Sequence, residues 1–172
     1  MTSAAAPAPA HPDGPSFDRI ATEAIDIAHR VVWSTVATVD RAGRPRTRVL
    51  HPLWRLEPDG VRGWITTRRT PVKSAHLRAN SQVSCAYLAA DHDVAFFDGV
   101  ARWVDDPVGR REAWEAFRAV PPPVGYDPVT IFPGGPDSPD FAVLVVRPHR
   151  IQTLRGAALA RGERPWLWAA PT

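Results

Sequence analysis

Cysteine is almost absent from this 172-residue chain, in which Cys85 is the only one. A single cysteine excludes a disulfide framework within the chain and a metal cluster held by cysteines alone, and it favours a reducing compartment. No apolar run reaches the ~18–20 residues that a membrane-spanning helix needs. No basic segment followed by an apolar stretch resembles a secretory signal. These absences predict a cytoplasmic protein without a membrane partner.

Lysine is equally scarce, because Lys73 is one of 21 basic residues and all the others are arginine. Acidic residues number 18, so the formal net charge is only +3. The arginines are scattered, and no aromatic-rich RNA-binding signature accompanies them. We therefore expect no nucleic-acid partner and attribute the excess of arginine to a coding bias. Lys73 stands out because arginine is the usual basic residue elsewhere in the chain.

Signature motifs of nucleotide binding and hydrolysis are also missing. The sequence has no G-x-G-x-x-G, no G-x-x-x-x-G-K-[ST] loop and no G-x-S-x-G turn. Its six histidines show neither H-E-x-x-H nor H-x-x-x-H spacing, so we predict no metal site. Cys85 lies between a serine and an alanine in a β-type segment, which is typical of a small buried residue.

Composition divides the chain into three predicted parts. Residues 1–15 are rich in Ala and Pro without periodicity, which predicts a disordered tail. Residues 16–156 carry the periodic segments and form the predicted domain, and residues 157–172 form a loop-like C-terminal extension. Within the domain, residues 121–140 are too rich in Pro and Gly for regular structure. A connection of this length is usually a functional loop or a disordered one.

Hydrophobic periodicity predicts a mainly β domain of the α+β class. Apolar residues at helical spacing over residues 17–30, with Ser16 as N-cap, indicate a first helix. β-Branched runs and turn signals indicate strands joined by hairpins. Because the strands do not alternate with long helices, we expect a six- to seven-stranded antiparallel barrel with about three peripheral helices. The predicted strands span residues 31–39, 45–55, 61–67, 83–88, 94–104, 141–146 and 149–154, and two further helices span residues 71–79 and 107–119.

One stretch, residues 45–77, collects groups that bind anions. A helix N-terminus presents free N–H groups and a positive dipole end, and hydroxyl and ammonium groups add hydrogen bonds and charge. A phosphate monoester needs this combination. The same residues also suit a solvated strand, a strand end and a surface charge, so spacing alone leaves both interpretations open. The residues concerned are Arg46, Arg48, Thr66, Thr67, Lys73 and Ser74.

Three segments of the sequence keep the motif order of a known family. They are ATVDRAGRPRTRVLHPLW, WITTRRTPVKSAHLRANSQVSCAYL and VAFFDGVARWVDD. They contain, in order, a D-x-x-G-x-P hairpin, an arginine- and valine-containing strand, a threonine-containing strand end, a K-x-x-x-L helix and a D-G strand. The chain from residue 31 to residue 106 thus resembles the pyridoxamine 5′-phosphate oxidase-like family. The resemblance implies a homodimeric split β-barrel that binds FMN at the subunit interface.

Carried over position by position, the resemblance implies a set of cofactor-binding residues. One side of the flavin would contact Arg48, Val49, Leu50 and His51. The phosphate and the ribityl chain would contact Thr66, Thr67, Lys73 and Ser74. Arg48 could also approach the phosphate, and His51 is a possible catalytic proton donor.

Three departures from the family pattern bear on the substrate. Val72, Val94 and Leu154 stand where the oxidases carry arginine, glutamine and tryptophan, respectively. The arginine-and-histidine substrate motif is also absent from the C-terminal LRGAALARGERPWLWAAPT. We therefore expect a substrate other than pyridoxamine phosphate.

The leading interpretation is an FMN-dependent oxidoreductase that acts on an unidentified small molecule. One alternative is an oxidoreductase of the same fold that uses the deazaflavin F420, whose longer anionic tail would favour Arg44, Arg68 and Arg69. Another alternative is a non-enzymatic flavin- or haem-binding stress protein. Haem iron would then take one of His76, His92 and His149, and either a flavin or a substrate could be covered by Trp103, Trp166 and Trp168.

Overall fold

The computed structural model of the protein describes residues 14–171. The predicted tail lies outside the described residues except for its last two positions. The elements are α1 (Phe17–Val31), β1 (Ser34–Val39), β2 (Pro45–Leu50), β3 (Pro52–Glu57), β4 (Gly60–Thr67), α2 (Pro71–Ala79), β5 (Gln82–Leu88), β6 (Val94–Val104), α3 (Pro107–Arg118), a 3-10 turn (Pro128–Thr130), β7 (Ala142–Leu154), α4 (Gly156–Ala160) and β8 (Trp166–Ala169).

The strands form one antiparallel sheet in the order β2-β1-β5-β6-β7-β4-β3, with β8 added to β7. Only His51 separates β2 from β3, yet these two strands lie at opposite ends of that order. One residue spans at most about 3.5 Å, whereas neighbouring strands lie about 4.8 Å apart. The sheet therefore curves until its two ends meet. The predicted α+β class and antiparallel barrel are confirmed.

The single strand predicted over residues 45–55 is wrong, because the chain changes strand partners at His51. Leu50 pairs with Ser34 of β1, whereas Pro52 pairs with Ile65 of β4. The described part of the chain therefore has eight strands rather than six or seven, and four α-helices rather than about three.

Near the C-terminus two predictions fail. The two strands predicted over residues 141–146 and 149–154 are one strand, β7 (Ala142–Leu154), since the pairing of β6 with β7 shifts register between Asp98 and Gly99 and so accommodates Pro148. A Cβ on Gly99 would overlap the Arg147 carbonyl. The segment after Gly156 is not loop-like, because it forms α4 and then β8, which pairs with β7. Trp168 of β8 is buried with its ring centroid 4.7 Å from that of Phe17.

Helix α1 closes one side of the barrel. Ser16 Oγ accepts a hydrogen bond of 3.3 Å from the Arg19 N–H, as its predicted N-cap role requires. The buried face of the helix, which includes Ile20 and Ile27, packs into the main core. In that core the Trp54 and Phe97 rings stack at 4.0 Å. A second core forms around α3 and takes in the segment over residues 121–140.

The buried carboxylate of Asp93 ties α1, the turn before β6 and α4 together. It accepts hydrogen bonds from Arg30 at 2.6 Å, from Arg155 at 2.7 Å and from the Gly156 N–H at 2.7 Å. Burial raises the pKa of Asp93, but the hydrogen bonds from Arg155 and Gly156 outweigh it and hold the pKa below its ordinary value. The ionised carboxylate therefore stabilises the fold.

We expect Asp93→Asn to lower the free energy of unfolding by about 1–3 kcal/mol, because hydrogen bonds to a charged acceptor weaken. The contribution of an acid with a depressed pKa is present above its unfolded pKa and is lost as pH falls through the folded value. The difference in free energy of unfolding between variant and wild type, measured with urea, should therefore be largest at pH 7 and should shrink below about pH 4. The matched control is Asp91→Asn, whose pair with Arg30 is exposed, so that solvent screens it and its loss should change the free energy of unfolding less. Equal losses in both variants would contradict this account.

Candidate functional site

An open groove of about 740 Å³ lies where the end of α1, the His51 corner and the end of β4 converge. The start of α2 and the segment over residues 121–140 complete its walls. Barrel closure at His51 creates this arrangement, because it brings the ends of β2 and β4 to the same place although β1, β5, β6 and β7 lie between them in the sheet. The groove has an apolar part and a cationic part.

The apolar part carries large side chains that remain open to solvent. Trp33 is 59% exposed and Val49 is 63% exposed, and both line the groove together with Ile131. Val32 sets the position of Trp33, because its φ of 70° and the 2.8 Å hydrogen bond from the Trp33 N–H to the Val31 carbonyl make a γ-turn. This conformation is strained for a β-branched residue. The turn places an indole ring at the mouth of the groove.

The cationic part centres on Lys73, which is only 5% exposed. Its ammonium donates to Thr67 Oγ1 at 2.6 Å and to the Arg68 carbonyl at 3.0 Å. Within residues 14–171 it forms no ion pair with a carboxylate. Burial and the nearby charge of Arg48 lower the pKa of Lys73 to about 8. A buried ammonium without an anion is costly, and a bound anion would offset that cost.

Two arginines add to this positive charge. Arg68 lines the groove, where its guanidinium donates to the Ile131 carbonyl at 3.4 Å. Arg48 points to Thr38, whose Oγ1 accepts from its Nη1 at 3.0 Å. Burial and the charge of Arg46 lower the pKa of Arg48. The cationic part therefore suits a phosphate group.

His51 lies at the junction of the two parts. Burial lowers the pKa of its imidazole, the Val124 backbone raises it in part, and the charge of His29 lowers it further. The ring packs between Trp33, at a centroid distance of 5.4 Å, and Tyr126, at 5.3 Å. Its Nε2 has no hydrogen-bond partner in the described part of the chain. The imidazole is therefore held neutral, with one ring nitrogen able to hold or release a proton.

The segment over residues 121–140 contributes one wall of the groove. Tyr126 and Thr66 share a short hydrogen bond between their hydroxyls, and the Tyr126 ring lies 5.1 Å from that of Phe117. Gly125 permits the tight path of the segment, because a Cβ there would overlap the Val120 carbonyl. The segment is thus fastened to β4 beside the groove rather than free of the barrel.

The comparisons with known proteins agree with the fold. A family model for pyridoxamine 5′-phosphate oxidase matches residues 21–155. The chain belongs to this family. The match extends beyond residues 31–106, where the sequence motifs lie, and includes most of α1 and all of β7. No curated protein matches the chain.

Solved structures show the same family fold at low sequence identity. A Clostridium acetobutylicum protein related to general stress protein 26 of B. subtilis has a TM-score of 0.66 and 16% identity, over 88% of this chain and 95% of that one. A pyridoxamine 5′-phosphate oxidase-related, FMN-binding protein from Nostoc punctiforme has a TM-score of 0.59 and 15% identity, over 88% of each chain. A heme-binding protein from Mycobacterium smegmatis has a TM-score of 0.61 and 21% identity, over 90% of this chain and 58% of that one.

Most of the residues that the family resemblance assigned to the cofactor come together. The groove is lined by Val49, Leu50, His51, Thr66, Thr67 and Lys73. It is not lined by Arg48 or Ser74. Arg48 turns toward Thr38. Ser74 follows the first turn of α2, where its N–H already bonds to the Thr70 carbonyl at 3.0 Å.

Sequence reasoning missed several groove residues. Tyr126 and Ile131 lie in the segment over residues 121–140, and its unusual length was the one available signal. Trp33 was assigned to a strand, and nothing local predicted that it would be exposed. The three tryptophans proposed to cover a ligand, Trp103, Trp166 and Trp168, do not line this groove.

Two absences within the described residues concern metal-binding clusters and membrane-spanning helices. No group of three or more His, Cys, Asp or Glu side chains in residues 14–171 is arranged to hold a metal ion. In the same described part of the chain, no helix is both long enough and apolar enough to cross a membrane.

We expect the hydrogen bond between Tyr126 and Thr66 to contribute about 0.5–1.5 kcal/mol. A double-mutant cycle with Tyr126→Phe and Thr66→Val, read by urea unfolding, should return a coupling energy of this size. Amide hydrogen exchange over residues 121–140 should quicken in each single variant. If the losses of unfolding free energy are additive and amide exchange over residues 121–140 does not change, this bond does not fasten the segment to β4.

Proposed function

We propose that the protein binds FMN in the groove and is a flavin-dependent oxidoreductase acting on a small molecule other than pyridoxamine phosphate. The observation that carries the proposal is the buried Lys73 ammonium, which has no carboxylate partner in the described chain and lies in the cationic part of a groove whose other part is apolar. FMN offers the matching pair of groups, a phosphate dianion and a flat apolar ring system.

The residues present fit this cofactor. Lys73 and Arg68 would neutralise the phosphate, while the hydroxyls of Thr66 and Thr67 would bond to its oxygens or to the ribityl chain. The apolar wall at Val49 would contact the ring system. The FMN-binding protein from Nostoc punctiforme has the same fold, which supports the choice of cofactor.

Bound flavin would supply the hydride chemistry, and the protein would position it and exclude water. In this proposal His51, which lines the groove, would hold a proton at Nε2, an atom without a hydrogen-bond partner in the described chain. Burial lowers the pKa of its imidazole, so the neutral form predominates at pH 7 and Nε2 can take up or deliver a proton. The side chains of Trp33 and Tyr126 would restrict the space available to the substrate.

The substrate differs from pyridoxamine phosphate because the chain lacks the arginine-and-histidine motif near its C-terminus. That region forms α4 and β8, and β8 packs against β7 and α1. Arg161 pairs with Glu163, so its charge is already matched.

We also propose that a second copy of the chain covers the rim of the groove. The exposed Trp33 and Val49 lie together there, and apolar patches of this kind usually mark an interface. A two-fold dimer would bury both copies of the patch in one contact.

The F420 alternative has less support from the ion pairs. Arg44 pairs with Asp40 at 2.8 Å and Arg69 with Asp105 at 2.5 Å. Of the three arginines that would meet a longer anionic tail, only Arg68 lines the groove.

The haem alternative has support in the fold of the heme-binding relative. Two of its three candidate ligands, His76 and His149, already form hydrogen bonds with Thr38 and Gln82, respectively.

Separate titrations of the apo-protein with FMN, F420 and haemin test the proposal. We expect the protein to quench the fluorescence of added FMN and to saturate at one FMN per chain. NADH or NADPH should then reduce the bound flavin. If neither NADH nor NADPH reduces the bound FMN, the proposed oxidoreductase activity is contradicted. Exclusive binding of F420, or a Soret band with haemin alone, would replace FMN with that cofactor.

We expect Lys73→Met to weaken FMN binding by about 1–3 kcal/mol, or roughly 5- to 150-fold in Kd, because it removes a charge-assisted contact to phosphate. Riboflavin has no phosphate, so its Kd should not change. Arg78→Met is the matched control, since it removes one positive charge from an exposed position of the same helix. Equal effects of Lys73→Met on FMN and riboflavin would contradict a phosphate contact.

A further inference from the structure

Arg48 is held by a chain of hydrogen bonds that crosses three elements. Its Nη1 donates to Thr38 Oγ1 at 3.0 Å, and the same oxygen lies 3.0 Å from Nδ1 of His76. Arg48 lies on β2, Thr38 on β1 and His76 on α2. Thr38 is only 2% exposed, so protein groups rather than bulk water must satisfy its hydroxyl.

One pattern of donation also gives the buried Thr38 hydroxyl hydrogen an acceptor. A guanidinium donates and never accepts, so Thr38 Oγ1 must accept from Arg48. The hydroxyl hydrogen of Thr38 is then free to donate to His76, whose Nδ1 accepts it. The imidazole of His76 consequently carries its proton on Nε2. Thr38 is therefore the link that transmits the position of α2 to Arg48.

This neutral support matters because Arg48 is surrounded by positive charge. Arg46 lowers its pKa, and Arg48 in turn lowers the pKa of Lys73. Without a fixed partner the long side chain would turn away from these charges into water. A carboxylate partner would hold it but would also neutralise it. The Thr38 hydroxyl holds the guanidinium and leaves its charge available to an anion.

We propose that Thr38 and His76 are positioning residues that keep Arg48 beside Lys73, so that both cations act on one phosphate monoester. The inference rests on the proposed binding of a phosphorylated flavin in the groove. His76 follows Lys73 by three residues on α2 and so lies on the same face of the helix; the link through Thr38 therefore brings Arg48 to the side of α2 that carries Lys73. Helix α2 thus has two roles, since it carries both Lys73 and His76.

Thr38→Val and Thr38→Ser test the link, with Kd values measured for both FMN and riboflavin. Valine keeps the shape of threonine but removes the hydroxyl, so we expect the Kd for FMN to rise about tenfold, the loss of one charged hydrogen bond. The Kd for riboflavin should stay unchanged. Serine restores the hydroxyl and should restore FMN affinity. A merely structural role would instead move both ligands together, and that result would overturn the proposal.

His76 offers a second test that does not disturb the buried strand. In His76→Asn the amide oxygen replaces Nδ1 as the acceptor and should keep FMN affinity within about twofold, whereas His76→Leu should weaken FMN severalfold. Thr47→Val is the matched control, because Thr47 is exposed on β2 beside Arg48. Wild-type protein that fails to bind FMN would overturn the proposed function. Wild-type binding with no effect of Thr38→Val or His76→Leu would overturn only the positioning role.

Discussion

The single-residue link at His51 is the constraint on which the rest of the structure depends. Because β2 and β3 are consecutive in the chain but terminal in the sheet, the sheet must close on itself. Closure brings the end of β2 next to the end of β4 and the start of α2, and the groove forms at that meeting point. His51 therefore has two roles, since the residue that closes the barrel also places an imidazole in the groove.

The electrostatics of the groove follow from this closure. Lys73 and Arg48 come from different elements. Lys73 is buried and Arg48 is half-buried, and neither has a carboxylate partner in the described chain. The Asp93 cluster shows the opposite arrangement, in which Arg30 and Arg155 surround one buried carboxylate. Arg30 also lines the groove, so the groove holds an arginine that is paired with carboxylates and a lysine that has none in the described chain.

Local signals predicted the parts of the fold that local interactions determine. The Ser16 cap, the helix that follows it and the hairpin at Gly43, with its φ of 79°, agree with the sequence. The break at His51 was missed because apolar residues run through it without a gap, and only the change of strand partner reveals it. β8 was missed because its strand conformation depends on hydrogen bonds with β7, and the local sequence does not show this pairing. Six of the eight predicted site residues line the groove, and no local pattern shows that Arg48 turns toward Thr38.

The central claim is that the buried Lys73 ammonium, which has no carboxylate partner in the described chain, binds the phosphate of FMN. Proton uptake on FMN binding tests this claim most directly. The pKa of Lys73 is about 8 in the free protein, and a phosphate dianion beside it would raise that value. Calorimetric titrations at pH 8 in buffers of different ionisation enthalpy should therefore show uptake of roughly half a proton per FMN, with none for riboflavin. The phosphate itself ionises near pH 6 and adds little at this pH. Heats of FMN binding that do not depend on the buffer would contradict the account.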